Sequence, residues 1–245
     1  MHKHTAPRAS ATLLARWQAL LSRVPSQCAV CRSWPAQRIC SHCVARFAQP
    51  RNRCMACALQ VPAGVARCGA CVLKPPPLDL CLAAVDYGYP WKQCVAQFKF
   101  EGDPGWAQAL ATLVRQTPGA AAALDDADWV LPVPLAIERL RERGFNQALQ
   151  LARQLAPHKA QHHLLLRLHA TPAQHTLTRA QRLHNLEGAF AVEPLRCHEL
   201  AGRRVVLVDD VMTTGATLHA AAVALRAAGV LNLTALVVAR TPSGN

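Results

Sequence analysis

Two adjacent carboxylates and a threonine-rich turn follow a short apolar run near the end of the chain. The run is Val205 to Val208, the acids are Asp209 and Asp210, and the turn is Val211-Met212-Thr213-Thr214-Gly215-Ala216-Thr217. A β-branched apolar run is typical of a strand buried in a parallel sheet, and the alanine-rich segment from Leu218 to Ala228 predicts a helix. The candidate chemistry therefore lies between the carboxyl end of a strand and the start of a helix.

The residue types in this segment suit a sugar phosphate. The backbone N–H groups between Met212 and Thr217 can converge on an anion, and the helix dipole and the threonine hydroxyls add to the attraction. Gly215 lets the backbone approach a ligand closely. Carboxylates accept hydrogen bonds strongly from hydroxyls, so Asp209 and Asp210 suit the 2′- and 3′-OH of a ribose. Because neighbouring strand residues point to opposite faces, both acids reach one sugar only if the strand stops between or just after them.

This order of residues resembles the phosphoribosyl pyrophosphate signature of type I phosphoribosyltransferases. An ordinary doubly wound sheet with an acidic strand end and a receiver-like phospho-acceptor are the alternatives. The missing Gly-Lys-Ser/Thr excludes a Walker-type phosphate loop, and the segment also lacks a dinucleotide fingerprint. The sequence therefore favours a phosphoribosyl pyrophosphate site at the end of this strand.

The amino-terminal part of the chain carries four Cys-x2-Cys knuckles. They are Cys28 with Cys31, Cys40 with Cys43, Cys54 with Cys57, and Cys68 with Cys71. Each knuckle turns two thiolates toward one metal, and two knuckles complete the tetrahedral sulfur shell that zinc or iron favours. We expect two zinc sites rather than disulfides or iron–sulfur clusters, because no secretory signal is found and the spacings differ from those of ferredoxins. Adjacent and interleaved pairs of knuckles would both close two sites.

Buried free thiols are expected for Cys81, Cys94 and Cys197.

The formal net charge of +13 is distributed unevenly. Residues 1–80 hold 11 Lys and Arg and one acid, whereas residues 81–245 hold 16 and 13. A basic metal-binding part suggests contact with a polyanion, nucleic acid first, and the alternative is an arginine-rich surface that only confers solubility. No apolar run approaches membrane-spanning length, and we expect a soluble cytoplasmic protein without a membrane span.

Four segments are expected along the chain. Residues 1–24 form an amphipathic helix that packs on the metal-binding part or lies on a membrane surface, residues 25–73 a double zinc ribbon, residues 74–78 a proline linker, and residues 79–245 an α/β domain. Strands are predicted at residues 81–87, 129–133, 163–168, 205–208 and 233–239, and helices at 106–116 and 146–156. This alternation favours a mostly parallel sheet flanked by helices.

Taken together, the knuckles, the linker and the terminal motif resemble the ComF family, in which a double zinc ribbon is fused to a phosphoribosyltransferase-like domain associated with DNA uptake and utilisation. Further matching stretches are residues 97–103, Val133-Pro134-Leu135, residues 141–147 with Arg-Gly-Phe-Asn-Gln, and Thr171, Gln174, Arg182, Asn185 and Phe190. The resemblance implies two structural Zn2+ ions, phosphoribosyl pyrophosphate with Mg2+ as ligand, and single-stranded DNA or other DNA-uptake proteins as partners.

The resemblance also implies roles for basic residues. Residues 132–143 would form the pyrophosphate loop, and residues 167–185 a flexible lid. The candidate pyrophosphate arginines are Arg139, Arg141 and Arg143, whose guanidinium forks match pyrophosphate oxygens, although a solvated helix face with Arg/Glu pairs is the alternative.

Three other cations are candidates for phosphate contacts. Arg179 and Arg182 would cover the phosphates when the lid closes, unless they lie on an ordinary exposed loop. Lys99, flanked by two phenylalanines, would contact a phosphate or else be a lysine on an edge strand that reaches the solvent.

Two functions remain open at this level. In the first, Asp209 and Asp210 hold the ribose, Mg2+ bridges the pyrophosphate and the ribose hydroxyls, and the protein transfers the phosphoribosyl group to a base, amine or polynucleotide end. In the second, the protein binds single-stranded DNA and uses the fold to sense the ligand without catalysis. The residues alone do not identify an acceptor.

Overall fold

The computed structural model describes residues 26–100, 103, 105–168 and 188–242. The chain divides into two compact units, one up to Cys43 and the other from Val44 onward. The first unit is a small turn-rich segment in which an isolated antiparallel bridge joins Ser26 to Ala36. A short helix, α1 (Ser41–Phe47), begins at the end of this unit and continues into the second. The prediction of one double ribbon over residues 25–73 stays a prediction.

The second unit is built on a four-stranded parallel sheet. Its strands are β1 (Leu80–Asp86), β2 (Trp129–Pro132), β5 (Arg204–Met212) and β6 (Asn232–Arg240), in the order β1-β6-β5-β2. The register pairs Leu131 with Leu207 and Leu207 with Ala235. Every residue of β6 after Asn232 is buried, as expected for a central strand covered on both faces.

The helices of the second unit have the following bounds: α2 (Gly69–Leu73), α3 (Trp91–Phe100), α4 (Trp106–Arg115), α5 (Ala120–Asp126), α6 (Ile137–Arg143), α7 (Gln147–Leu155) and α8 (Ala216–Ala227). A 3-10 helix covers Pro194–Glu199. Helix α7 packs on β2, β5 and α4, and α8 packs on β5. Apolar stripes on α4 and α7 account for this arrangement, because both helices bury one face.

A second, two-stranded sheet lies outside the parallel one. Strands β3 (Leu165–Arg167) and β4 (Phe190–Val192) pair antiparallel, and β4 packs against α8. The strand predicted at residues 163–168 therefore exists but is shorter and does not join the parallel sheet.

The remaining predicted strands and helices are found within a few residues of their expected bounds. Two expectations were wrong in detail. Strand β5 does not stop just after the acids but continues to Met212, and residues 137–143 of the predicted pyrophosphate loop form helix α6. Of the two alternatives for Lys99, the edge-strand position is wrong, because Lys99 lies on helix α3. Among the described residues, no helix has the length and apolar character needed to cross a bilayer. The predicted helix at residues 1–24 lies outside the described residues.

Candidate phosphoribosyl site and metal centres

Residues 213–217, here called the threonine loop, connect β5 to α8. Gly215 has φ +81°, a conformation that residues with a side chain rarely adopt, and a Cβ there would overlap the terminal methyl of Met212. Thr213 is exposed, and the Thr214 hydroxyl accepts a hydrogen bond from the N–H of Ala216 at 3.4 Å. The loop therefore places threonine hydroxyls and backbone N–H groups at the start of a 12-residue helix, where the helix dipole favours an anion.

The two acids lie within β5, directly before the threonine loop. Asp210 is 7% exposed, forms an ion pair with Lys99 at 2.8 Å, and donates its backbone N–H to Oδ1 of Asp209 at 2.9 Å. Burial and the neighbouring Asp210 raise the pKa of Asp209 to about 7, although Lys99 opposes this shift. Asp209 is therefore protonated more readily near neutral pH than an ordinary aspartate is.

The expectation that the strand stops just after the acids was wrong. The pairing of β5 with β6 continues as far as Met212, which lies opposite Arg240. Strand β6 provides backbone hydrogen-bond partners along this whole length, so β5 stays paired beyond Asp210. The two carboxylates consequently have different surroundings: Asp210 is buried against Lys99, whereas Asp209 is half-buried.

Arg143 and Arg167 lie near these carboxylates. Partial burial lowers the pKa of Arg143, and the negative charge of Asp210 opposes the shift. Burial also lowers the pKa of Arg167, as does Arg139, while the charge of Asp209 opposes this. The structure thus brings together two acids and basic groups from α3, α6 and β3. Of the predicted arginines, Arg139 lies at the edge of this group, and Arg141 is exposed on α6.

Gln147 holds Arg143 in place. Its Oε1 accepts a hydrogen bond from Nη1 of Arg143 at 3.1 Å, and the guanidinium lies 5.3 Å from the ring centre of Phe100. Gln147 is 1% exposed, so a buried side-chain amide restricts the position of the Arg143 guanidinium. The sequence analysis gave no role to Gln147 and treated Arg167 only as the first residue of the lid. The contact between Arg143 and Gln147 spans the turn between two helices, so helical spacing did not indicate it.

The rest of the Arg-Gly-Phe-Asn-Gln stretch shapes the turn between α6 and α7. Gly144 ends α6 with φ +76°, and the ring of Phe145 packs 5.7 Å from that of Phe98. Asn146 caps α7 through its side-chain oxygen and donates its amide to the carbonyl of Val133 at 3.0 Å. These contacts position the start of α7 against Val133, the residue that follows β2.

Three other predicted residues of the lid, Arg179, Arg182 and Asn185, lie outside the described residues, as do Thr171 and Gln174. Phe190, at the far side of that segment, is on β4, where the Arg167 guanidinium lies 5.3 Å from its ring centre. Of the thiols without a knuckle partner, Cys81 and Cys94 are buried as expected, but Cys197 is exposed on the 3-10 helix.

The eight knuckle cysteines form two groups, and adjacent knuckles pair. The first four-cysteine group is Cys28, Cys31, Cys40 and Cys43, and the second is Cys54, Cys57, Cys68 and Cys71. Sulfur pairs are separated by 3.9 Å and 3.6 Å in the first group and by 3.7 Å in the second. A tetrahedron with Zn–S bonds of about 2.3 Å has edges of about 3.8 Å, so both groups fit zinc. All eleven cysteines are free thiols in this structure, and the sulfur separations suit ligands of one metal ion.

Local hydrogen bonds lower the pKa of some thiols in each group, whereas burial raises the pKa of Cys43, Cys57 and Cys71. A hydrogen bond from the Ser33 side chain lowers the pKa of Cys31 to about 6. Burial raises the pKa of Cys54, but backbone N–H groups of Cys68, Ala56 and Cys57 outweigh it and bring the pKa to about 7. Backbone N–H groups that donate to sulfur stabilise the charged form, which is the form that binds metal.

Comparison with known proteins extends these observations. The family model described as "Phosphoribosyl transferase domain" matches residues 131–245. The DNA utilization protein YhgH of Escherichia coli O6:H1 is 32% identical over 208 residues, covering 79% of this chain and 88% of that protein. Competence protein F of Haemophilus influenzae is 30% identical over 200 residues, covering 78% and 80%. Competence protein ComFC of Bacillus subtilis is 36% identical over 132 residues, covering 54% and 51%.

Proposed function

We propose that this chain, which belongs to the ComF family of phosphoribosyltransferase-like proteins, binds phosphoribosyl pyrophosphate with Mg2+ at the carboxyl end of β5. The observation that carries the proposal is the convergence of the threonine loop, Asp209, Asp210 and three basic side chains at one end of the sheet. An anion-binding helix start next to a pair of acids suits a ligand with both phosphates and hydroxyls.

Each part of the ligand has a matching set of groups. The threonine loop binds the 5′-phosphate. Although β5 continues past the two acids, the Asp209 carboxylate folds back onto the backbone N–H of Asp210 at 2.9 Å and lies near the Asp210 carboxylate, so both accept hydrogen bonds from the hydroxyls of one ribose. Arg143, held by Gln147, binds the pyrophosphate together with Lys99. Lys99 also neutralises Asp210, which limits the repulsion between the acids and the phosphates.

Magnesium fits this donor set. Mg2+ is commonly bound through one or two carboxylates together with substrate phosphates, and two carboxylates are present. Asp209 and Asp210 would hold the ion, which would supply positive charge to stabilise the leaving pyrophosphate.

In a transfer reaction, the protein side chains stabilise the leaving group. As the bond from the anomeric carbon to the pyrophosphate oxygen breaks, negative charge builds up on that oxygen, and Arg143 and Lys99 are already in position to stabilise it. The carboxylates favour the positive charge that develops on the sugar, so no covalent nucleophile is needed. The acceptor is a base, an amine or a polynucleotide end.

Calorimetric titration with phosphoribosyl pyrophosphate and Mg2+ tests the binding site. We expect saturable, Mg2+-dependent binding that weakens about 10- to 100-fold in Asp210→Asn, because a charged hydrogen bond contributes about 1.5–3 kcal/mol. Asp126→Asn, which changes an exposed acid at the end of α5, is the matched control and should bind like the unaltered protein. Unchanged affinity in both Asp209→Asn and Asp210→Asn would refute the assignment.

A second candidate function is binding of single-stranded DNA, and the exposure of Trp34 favours it. Trp34 is 66% exposed in a segment, residues 26–43, that contains Arg32 and Arg38 and no acid. Bases stack on exposed aromatic rings, and arginines contact the phosphates. Full-length protein should bind labelled single-stranded DNA with an affinity that falls steeply with salt, and Trp34→Ala should weaken it. Equal affinity for Trp34→Ala at low salt would exclude this surface.

A further inference from the structure

Arg240, the last residue of β6, contacts both the second four-cysteine group and the segment that leads into the threonine loop. Its Nε donates to the carbonyl of Cys57 at 2.8 Å. Its Nη1 donates to the carbonyl of Met212 at 3.3 Å and to those of Thr213 and Thr241. The residue is 7% exposed, so one buried guanidinium bridges a metal knuckle and the candidate ligand loop.

The hydrogen bonds of Arg240 fix the direction of the loop's N–H groups. In a planar trans peptide, the carbonyl of one residue and the N–H of the next point in opposite directions. Because Arg240 holds the carbonyls of Met212 and Thr213, the N–H groups of Thr213 and Thr214 face away from it. The N–H of Thr241 also donates to the Met212 carbonyl, at 2.9 Å, which strengthens this orientation.

Side-chain packing reinforces the same connection. The Met212 thioether contacts the Cys81 thiol at 3.6 Å, and the Met212 methyl occupies the space beside Gly215. The backbone N–H of Cys81 donates to the carbonyl of Met55, between Cys54 and Cys57, at 2.7 Å. The second four-cysteine group and the threonine loop therefore share one buried layer of contacts.

Zinc-bound thiolates of the second group would give the charge of Arg240 a partner in this layer. Among the described residues, no carboxylate lies within ion-pair distance of its guanidinium. A zinc ion held by four thiolates carries a net charge of −2, and a buried guanidinium next to such a group is favourable. Zinc in the second group would thus stabilise Arg240 where it orients the loop.

We propose that Arg240 is a positioning residue for the 5′-phosphate and that it couples ligand binding at the threonine loop to zinc occupancy of the second four-cysteine group. The inference rests on the proposed binding of phosphoribosyl pyrophosphate. Coupling between two binding sites is reciprocal, so the ligand must increase the affinity for zinc by the same factor by which zinc increases the affinity for the ligand.

Cysteine alkylation in the full-length, zinc-loaded protein measures this reciprocity. The protein is mixed with a zinc chelator and iodoacetamide, with and without phosphoribosyl pyrophosphate and Mg2+, and alkylation of each cysteine is followed by mass spectrometry. We expect the ligand to slow alkylation of the second group about tenfold and to leave the first group unchanged. The first group belongs to the other compact unit and is an internal control.

Arg240→Lys provides the matched variant, because lysine keeps the positive charge but cannot bridge Cys57 and Met212 with a rigid fork. We expect it to bind the ligand about tenfold more weakly and to lose the protection of the second group. A purely structural role would lower the melting temperature without removing the ligand-dependent difference in alkylation. If the variant does not fold, the comparison within the unaltered protein still decides.

The outcomes separate the two proposals. Calorimetric binding of the ligand with unchanged alkylation of the second group, or with equal slowing of both groups, would overturn the coupling and leave the proposed function intact. The absence of any binding heat in the zinc-loaded protein would overturn the proposed function and the coupling with it.

Discussion

The two four-cysteine groups have the same ligands and similar spacing but different surroundings. The first belongs to a small unit in which, among residues 26–43, only Cys28, Ile39 and Cys43 are buried hydrophobic residues. The second contributes Cys54, Cys57 and Cys71 to the same apolar core as the parallel sheet. A metal knuckle can therefore replace a core, as in the first unit, or become part of one, as in the second.

Polar contacts also tie the second group to the sheet. Arg53 forms an ion pair with Asp86 on β1 at 2.7 Å and donates to the carbonyl of Ala58 at 3.1 Å. These contacts connect the second group to β1, and those of Arg240 connect it to β6. From this difference we expect the first group to stabilise only its own unit and the second to affect the proposed ligand site as well.

Removing one ligand from each group is the strongest test of this difference. Cys54→Ser should destabilise the second unit by on the order of 5 kcal/mol, because metal binding supplies folding free energy to a site within the core. Thermal unfolding monitored by circular dichroism should show the melting temperature falling by about 10–20 °C. Cys31→Ser, the matched control, should lose one equivalent of zinc and leave that transition in place. Equal loss of stability in both variants would contradict the distinction.

Gly215→Ala tests the ligand side of the second unit without touching a cysteine. A residue with a side chain at φ +81° costs about 1–2 kcal/mol, and the new methyl would displace Met212. We expect phosphoribosyl pyrophosphate to bind at least about tenfold more weakly in calorimetry, since 1.4 kcal/mol corresponds to a factor of ten. Gly64→Ala, at another positive φ within the metal-binding part, should strain the chain similarly but leave ligand affinity unchanged. Equal effects of both substitutions would argue against a specific role for the loop.

The pH dependence of ligand binding gives a smaller effect. Burial raises the pKa of Asp209 to about 7, so most of this carboxyl is protonated at pH 6 and most is ionised at pH 8. Ribose hydroxyls donate to the ionised form, so binding releases a proton and affinity should rise up to about tenfold from pH 6 to pH 8.

The raised pKa of Asp209 makes the folded protein less stable as the pH rises, because the folded state binds the proton more tightly than the unfolded state does. The contribution of Asp209 to stability is therefore present below about pH 4 and is lost as pH rises through about 7. Asp209→Asn should remove the contribution of this carboxyl to the pH dependence of ligand affinity and to the pH dependence of stability. Calorimetry at several pH values and in buffers of different ionisation enthalpy measures the proton release; an unchanged profile in Asp209→Asn would assign the titration to another group.

The smallest expected effect compares the thiols of the two groups after zinc removal. Cys31 is exposed and its pKa is lowered to about 6, whereas Cys54 is buried and its pKa is about 7. At pH 6.5, Cys31 is mostly thiolate and Cys54 mostly thiol, so iodoacetamide should modify Cys31 several-fold faster. Peptide mass spectrometry after brief labelling provides the measurement, and faster labelling of Cys54 would show that the second unit opens when its metal is lost.

Local patterns predicted most of the elements that carry the site. The apolar run before Asp209, the glycine in the threonine loop and the alanine-rich segment after it identified β5, the turn and α8 within a few residues. Helix α6 was taken as a loop because its seven residues show no apolar periodicity and none is buried. The end of β5 was misjudged because strand length depends on the neighbouring strand, which is not visible in the strand's own residues.

The sequence by itself determined the chemical groups of this protein: four knuckles, two adjacent acids, and a threonine loop at a helix start. These features are encoded by residues close together in the chain, where spacing alone sets the geometry. The tertiary structure decided which knuckles pair, that Lys99 neutralises Asp210, and that Arg240 reaches Cys57, 183 residues away. Such contacts depend on how the sheet and its helices pack, because residues distant in the chain meet only when the core is buried.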